Sequence, residues 1–168
     1  MYTLHTFAAF DSGDGLPMPL TLDLVLAVLH HLGILILVGC LAAELALLSL
    51  RADGRSAEIL ARIDLAYGLI AGAVLCFGLA RVFWGVRGSG FYLENPFFWL
   101  KLGLFLLIAL VSIRPTMTFI RWRRLARAGG GAPPAIEIAT MRRWVLLQAG
   151  LLIALPIFAA LMARGIGL

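Results

Sequence analysis

Four long apolar stretches, separated by short polar ones, organise this chain. They cover about residues 20–50, 59–85, 96–121 and 142–164. A helix needs roughly 17–25 residues to cross a bilayer, and each stretch is that long. The first is interrupted by Asp23, His30, His31 and Glu44, the third by Lys101 and Arg114, and the fourth is uncharged from Trp144 to Ala163. The intervening segments carry turn chemistry. Asp53-Gly54-Arg55-Ser56 and Arg87-Gly88-Ser89-Gly90 read as tight polar turns. Asn95-Pro96 reads as an N-cap followed by proline at the first helical position, where a missing N–H costs nothing. Residues 125–140, with the run Gly129-Gly130-Gly131-Ala132-Pro133-Pro134, read as a flexible cytoplasmic linker. The pattern predicts an all-α polytopic membrane protein. One domain, residues 1–168, forms an antiparallel bundle of four transmembrane helices.

Composition agrees with that pattern. Of 168 residues, 62% are hydrophobic and 14% charged, with a mean hydropathy of +0.99. Soluble domains hold about 45–50% apolar and about 25% charged residues. Nothing outside the apolar stretches is long enough to build a separate enzyme core. The first fifteen residues lack a basic region and carry Asp11 and Asp14, so no cleavable signal is expected. The net charge of +5 comes from thirteen Arg and one Lys against nine acids. These cations flank apolar stretches and offer no basic helix or aromatic platform, which argues against a nucleic-acid partner. Arg51, Arg55, Arg62, Arg121, Arg123, Arg124, Arg127, Arg142 and Arg143 share one side; Arg87 and Arg164 share the other, with Arg81 near it. The positive-inside rule then puts both termini outside, in the periplasm of a bacterial inner membrane. Tyr92, Phe97, Phe98 and Trp99 would form an outer aromatic belt, and Trp122 and Trp144 an inner one.

Ionisable side chains inside a membrane helix are costly and mark candidate sites. Asp23, His30, Leu37 and Glu44 recur every seven residues, as do Tyr67, Val74 and Arg81. Each series keeps nearly one helix face, and both are expected to face the bundle interior. His30 is then the interior histidine and His31 points about 100° away. His30, His31, Arg81 and Lys101 share one level in the outer half. A neutral imidazole ligates haem iron, and cations at the rim suit its propionates. The set therefore suggests a site for haem b or a porphyrin, with His30 on the iron and Arg81 and Lys101 at the edge. No other apolar stretch carries a histidine, which leaves Lys101, Met162 or water for the opposite axial position. Glu44 and Arg114, of opposite charge at similar depth, are expected to form a buried ion pair. Cys40 and Cys76 read as packing residues, and Gly68, Gly72 and Cys76 as a small-residue row for close helix contact.

Several strings carry a family resemblance. Leu29-His30-His31-Leu32, Ala43-Glu44-Leu45, Arg62-Ile63-Asp64-Leu65-Ala66-Tyr67-Gly68, Leu79-Ala80-Arg81-Val82-Phe83, Asn95-Pro96-Phe97-Phe98-Trp99-Leu100-Lys101 and Ser112-Ile113-Arg114-Pro115-Thr116 resemble the bacterial membrane family catalogued as domain of unknown function 2214. More distantly, the arrangement looks like the four-helix superfamily of the oxygen-independent membrane protoporphyrinogen oxidase and the copper-resistance D proteins. That resemblance implies tetrapyrrole binding through His30 or His31 and the Trp99…Lys101 pair, and an oxidoreductase-like role. Two other readings stay open. One is a non-enzymatic subunit or scaffold, working as a homo-oligomer or in a larger membrane complex and using the fourth helix as its contact. The other is a copper-handling or transport protein, which discontinuous helices would favour. Pro115 and Pro156 are the intrahelical breakers in the last two stretches. The orientation has a direct test. Alkaline phosphatase fused after Leu168 is expected to be active, and a fluorescent protein fused there to stay dark; the reverse result would place the C-terminus in the cytoplasm.

Overall fold

Hydrocarbon offers no partner to a backbone amide, so a spanning segment must pair its own N–H and C=O groups, and a helix does this within one segment. A computed structural model describes residues 18–50 and 54–164. They form α1 (Met18–Ser49), α2 (Gly54–Trp84), α3 (Gly88–Leu93), α4 (Pro96–Arg127) and α5 (Ala135–Ala163). The four long helices contain 32, 31, 32 and 29 residues, and each is long and apolar enough to cross a membrane. At 1.5 Å per residue they reach roughly 45 Å, well beyond a hydrocarbon core of about 30 Å.

The surplus length lies mainly at the end of the bundle that holds the α4–α5 linker. There the helices overrun the turns expected from composition. Gly54, Arg55 and Ser56 open α2 instead of forming a turn, while Asp53 lies outside the described residues. Helix α4 runs on to Arg127 and α5 begins at Ala135, so the non-helical linker is residues 128–134 rather than 125–140. The overrun is held by charge. Glu58 accepts from Arg62 on its own helix and from Arg127 on α4, and Glu137 of α5 accepts from both Arg121 and the Trp122 indole of α4. Helix α4 stops in a glycine cap. Gly129 has a positive φ of 76°, and the amides of Gly129 and Gly130 bond back to Ala126 and Leu125. At the other end, Gly88 (φ 74°) turns the chain into the short α3, which the sequence pattern did not show. Asn95 caps α4 as expected, its side chain accepting from the Phe97 amide at 2.9 Å with Pro96 next in line.

Neighbouring helices run antiparallel in the order α1, α2, α4, α5, and α5 closes back on α1. Leu37, Leu41, Leu48, Leu60, Ile108, Phe119, Val145 and Leu152 fill the centre. Leu35, Leu69, Leu110 and Ile153, one from each long helix, are about two-thirds exposed and form the lipid-facing surface. A surface this apolar would associate in water and is at home in acyl chains. Pro115 and Pro156 are both absorbed in continuous helices. The aromatic belts are only half realised. Tyr92 and Phe98 turn inward to pack with Val82 and Met162, and Trp122 is buried, while Trp99 stays exposed with its indole on the Leu93 carbonyl.

Close approach is concentrated between α1 and α2. A Cβ at Gly33 would collide with the Val74 side chain, and one at Gly78 would stand 3.1 Å from the His30 ring. The expected small-residue row is not part of this seam. Gly68, Gly72 and Cys76 are exposed on the outer face of α2. Val74 is buried and, being β-branched in a helix, has one strongly preferred rotamer, so it cannot step aside cheaply. Gly33→Ala is therefore expected to destabilise the bundle by about 1–3 kcal/mol, the usual range for overpacking. Gly39→Ala, which meets open space, should be neutral or slightly stabilising. Thermal unfolding in one detergent compares the two, and equal melting temperatures would contradict the seam.

Candidate functional site

At the α3 end of the bundle the heptad stripe of α1 meets the stripe of α2. The His30 Nδ1–H donates to the Val74 carbonyl at 2.9 Å. That carbonyl belongs to a helix, and it is reachable because Gly78, one turn further on, has no side chain to cover it. The His30 Cε1 and Nδ1 occupy that space, 3.1 and 3.4 Å from where a Cβ would be. The bond assigns the proton to Nδ1 and leaves the Nε2 lone pair free to accept or ligate. Two turns towards the helix ends, the Arg81 Nε donates to the Asp23 Oδ1 at 3.2 Å in a partly buried ion pair. Lys101 of α4 and Arg81 both lie within electrostatic range of His30, so three helices contribute to one level, as the spacing predicts. Among the described residues Lys101 has no hydrogen-bond or ion-pair partner.

His31 does not join them. It is exposed, and its Nδ1–H bonds to the Ala27 carbonyl of its own helix at 2.6 Å. Met162 packs in the Val82–Tyr92–Phe98 cluster. The side chain of Met18 lies outside the described residues. Among the described residues no three His, Cys, Asp or Glu converge as a metal-binding group.

The structure separates Glu44 from Arg114. Arg114 is exposed, its guanidinium 5.0 Å over the Trp144 ring, and it lines an open groove of about 750 Å³ between α4 and α5 with Arg121, Arg124 and Glu137. An arginine at this depth can place its charge at the interface and lay its stem on apolar surface, so it needs no buried partner. Glu44 points the other way. It is 1% exposed, and its Oε1 has no hydrogen-bond partner. Around it lies a second set of polar side chains, of which the heptad spacing had placed only Tyr67 in the interior. Asp64 of α2 accepts from the Thr116 hydroxyl of α4 at 2.9 Å. Tyr67 of α2 reaches across the diagonal of the bundle to Gln148 of α5. Asp64, Tyr67 and Gln148 are all buried. Asp64 and Tyr67 are a helical turn apart, a spacing that gives them one face and was available as a signal. Gln148, in the uncharged stretch of α5 from Trp144 to Ala163, carried none.

Four spanning helices, with ionisable side chains held between them, define a multi-pass integral membrane protein. The chain belongs to the family described as "Predicted membrane protein (DUF2214)", whose model matches residues 22–167. No curated protein and no solved structure matches it.

The pairings above make separable predictions. Double-mutant cycles on unfolding should give a coupling of about 0.5–3 kcal/mol for Asp64→Asn with Thr116→Val, which share a hydrogen bond. Glu44→Gln with Arg114→Gln should add to within about 0.3–0.5 kcal/mol, as independent sites do. Strong coupling in the second cycle would restore the ion pair.

Proposed function

We propose that the bundle binds haem b or a related porphyrin at the level of His30, with His30 as the iron ligand. The observation that carries this reading is the bond from the His30 Nδ1–H to the Val74 carbonyl. Metal-bound histidines characteristically donate their second ring nitrogen to a carbonyl or carboxylate, which sets the tautomer and the ring orientation. The surrounding residues suit the rest of the group. The Lys101 ammonium has no partner among the described residues, and Arg81 uses only its Nε on Asp23, so its terminal nitrogens remain for a propionate. Haem bound there would supply one-electron redox chemistry, and an iron-free porphyrin would be a substrate or cargo. The protein's part is to hold the His30 tautomer, to offer cations at the rim and to exclude water with the Val82–Tyr92–Phe98 packing on α2, α3 and α4.

The test is a reduced-minus-oxidised absorption spectrum of purified protein, as isolated and after addition of haemin, beside His30→Ala and His31→Ala. Soret and α bands lost in the His30 variant and kept in the His31 variant are the expected result. No band after haemin, or equal loss in both variants, would reject the reading.

A further inference from the structure

Two carboxyl groups are sealed in the bundle well away from His30. Contacts along the α1–α2 seam run from Asp23 with Arg81, through His30 with Val74, to Gly33 with Val74 and Ile70. The same antiparallel register carried down the pair sets Glu44 opposite Leu60 and Asp64. The two acids interact electrostatically, and their side chains are almost entirely withdrawn from the surface. Leu48, Leu60, Phe119 and Trp122 close the bundle on the linker side of them, and Leu37, Val74 and Ile108 on the α3 side. Among the described residues no Lys or Arg pairs with either acid: Arg81 is taken by Asp23, Arg62 and Arg127 by Glu58, and Arg121 by Glu137.

A buried carboxylate without a counter-ion is strongly disfavoured, and two neighbouring ones cannot both stay ionised in such a medium. The hydrogen bonds distinguish the two. Asp64 accepts from the Thr116 hydroxyl and can hold a negative charge; the Glu44 Oε1 receives nothing. A proton on Glu44 removes the unsupported charge and makes the group a donor. A separate observation points the same way. Gln148, on α5 and only 2% exposed, also has an unpartnered acceptor, Oε1, and it lies against the Tyr67 hydroxyl next to the acids. The buried polar set thus has more acceptors than donors. A metal ion would need more converging ligands than two acids, and the described residues hold no group of three.

We propose that Glu44 is an occluded proton-binding site. It takes a proton from the aqueous phase, holds it beside Asp64 and returns it to water, neutral when loaded and anionic when empty. The groups facing it are Cys40 of α1, Asp64 and Tyr67 of α2, Thr116 of α4 and Gln148 of α5. Of these, Asp64 is the acceptor, and Tyr67 with Gln148 completes the polar set. Membrane carboxyls arranged in this way serve proton relays.

Infrared spectroscopy of the full chain in liposomes, without haem, tests the site independently of porphyrin binding. At neutral pH the wild type is expected to show the carbonyl stretch of a protonated carboxyl, shifted after exchange into D2O. Glu44→Gln, which keeps shape and neutrality, should lose the band and keep the wild-type melting temperature; Asp64→Asn should keep the band. Absence of the band in the wild type overturns the proposal without any variant. So does its survival in Glu44→Gln, its loss in Asp64→Asn, or its disappearance on adding sodium chloride, which would make the ligand a metal cation.

Discussion

The contact on which the bundle depends is the close approach of α1 and α2. Lipid tails are as apolar as leucine, so the hydrophobic effect that draws soluble helices together is nearly absent between membrane helices. Packing and interhelical hydrogen bonds replace it. Gly33 and Gly78 supply the packing by letting Val74 and the His30 ring into the space where a side chain would stand. The His30–Val74 bond and the Arg81–Asp23 pair supply the polar contacts on the same seam. Add a Cβ at Gly78 and it crowds the His30 ring off the carbonyl that orients it. The geometry of the histidine and the association of the helices therefore have one origin.

From that seam the polar interior divides into two levels with different demands. The level near α3 has cations, one histidine and an acid, and its ion pair is partly exposed. Its charges can be met by water, headgroups or an anionic ligand edge. The deeper level has acids and neutral acceptors and, among the described residues, no cation paired with them, closed by leucine, phenylalanine and tryptophan on one side and by leucine, valine and isoleucine on the other. Its charge can be met only by something that enters. A porphyrin with its propionates suits the first level, and a proton suits the second.

Much of this was legible in the chain. Four stretches long enough to span gave the four helices, because apolar length has one structural outcome in a bilayer. Seven-residue spacing put Asp23, His30 and Glu44 on one interior face and Tyr67, Val74 and Arg81 on another, and it separated His30 from His31. Asn95-Pro96 announced the start of α4. Helix ends were read poorly where charged residues continue a helix past the hydrocarbon, since composition marks the membrane boundary and not the helix boundary. Residues 54–58, 122–127 and 135–141 were misjudged for that reason.

Glu44 and Arg114 mark where sequence stopped. Depth and opposite sign paired them; rotation about the helix axis did not. Depth follows from counting residues, but the direction of a side chain depends on which helix lies beside it, and that is settled only when four helices pack in a given order. Packing turned Arg114 out over Trp144 and Glu44 in towards Asp64. It also brought Gln148, from the uncharged stretch of α5, across the diagonal to Tyr67, and it left the row Gly68, Gly72 and Cys76 on the outside. The chain by itself determined that it spans the membrane and which faces carry polar groups, because those depend on local periodicity and transfer to lipid. The tertiary structure decided which of those groups meet, because that depends on contacts between segments distant in sequence.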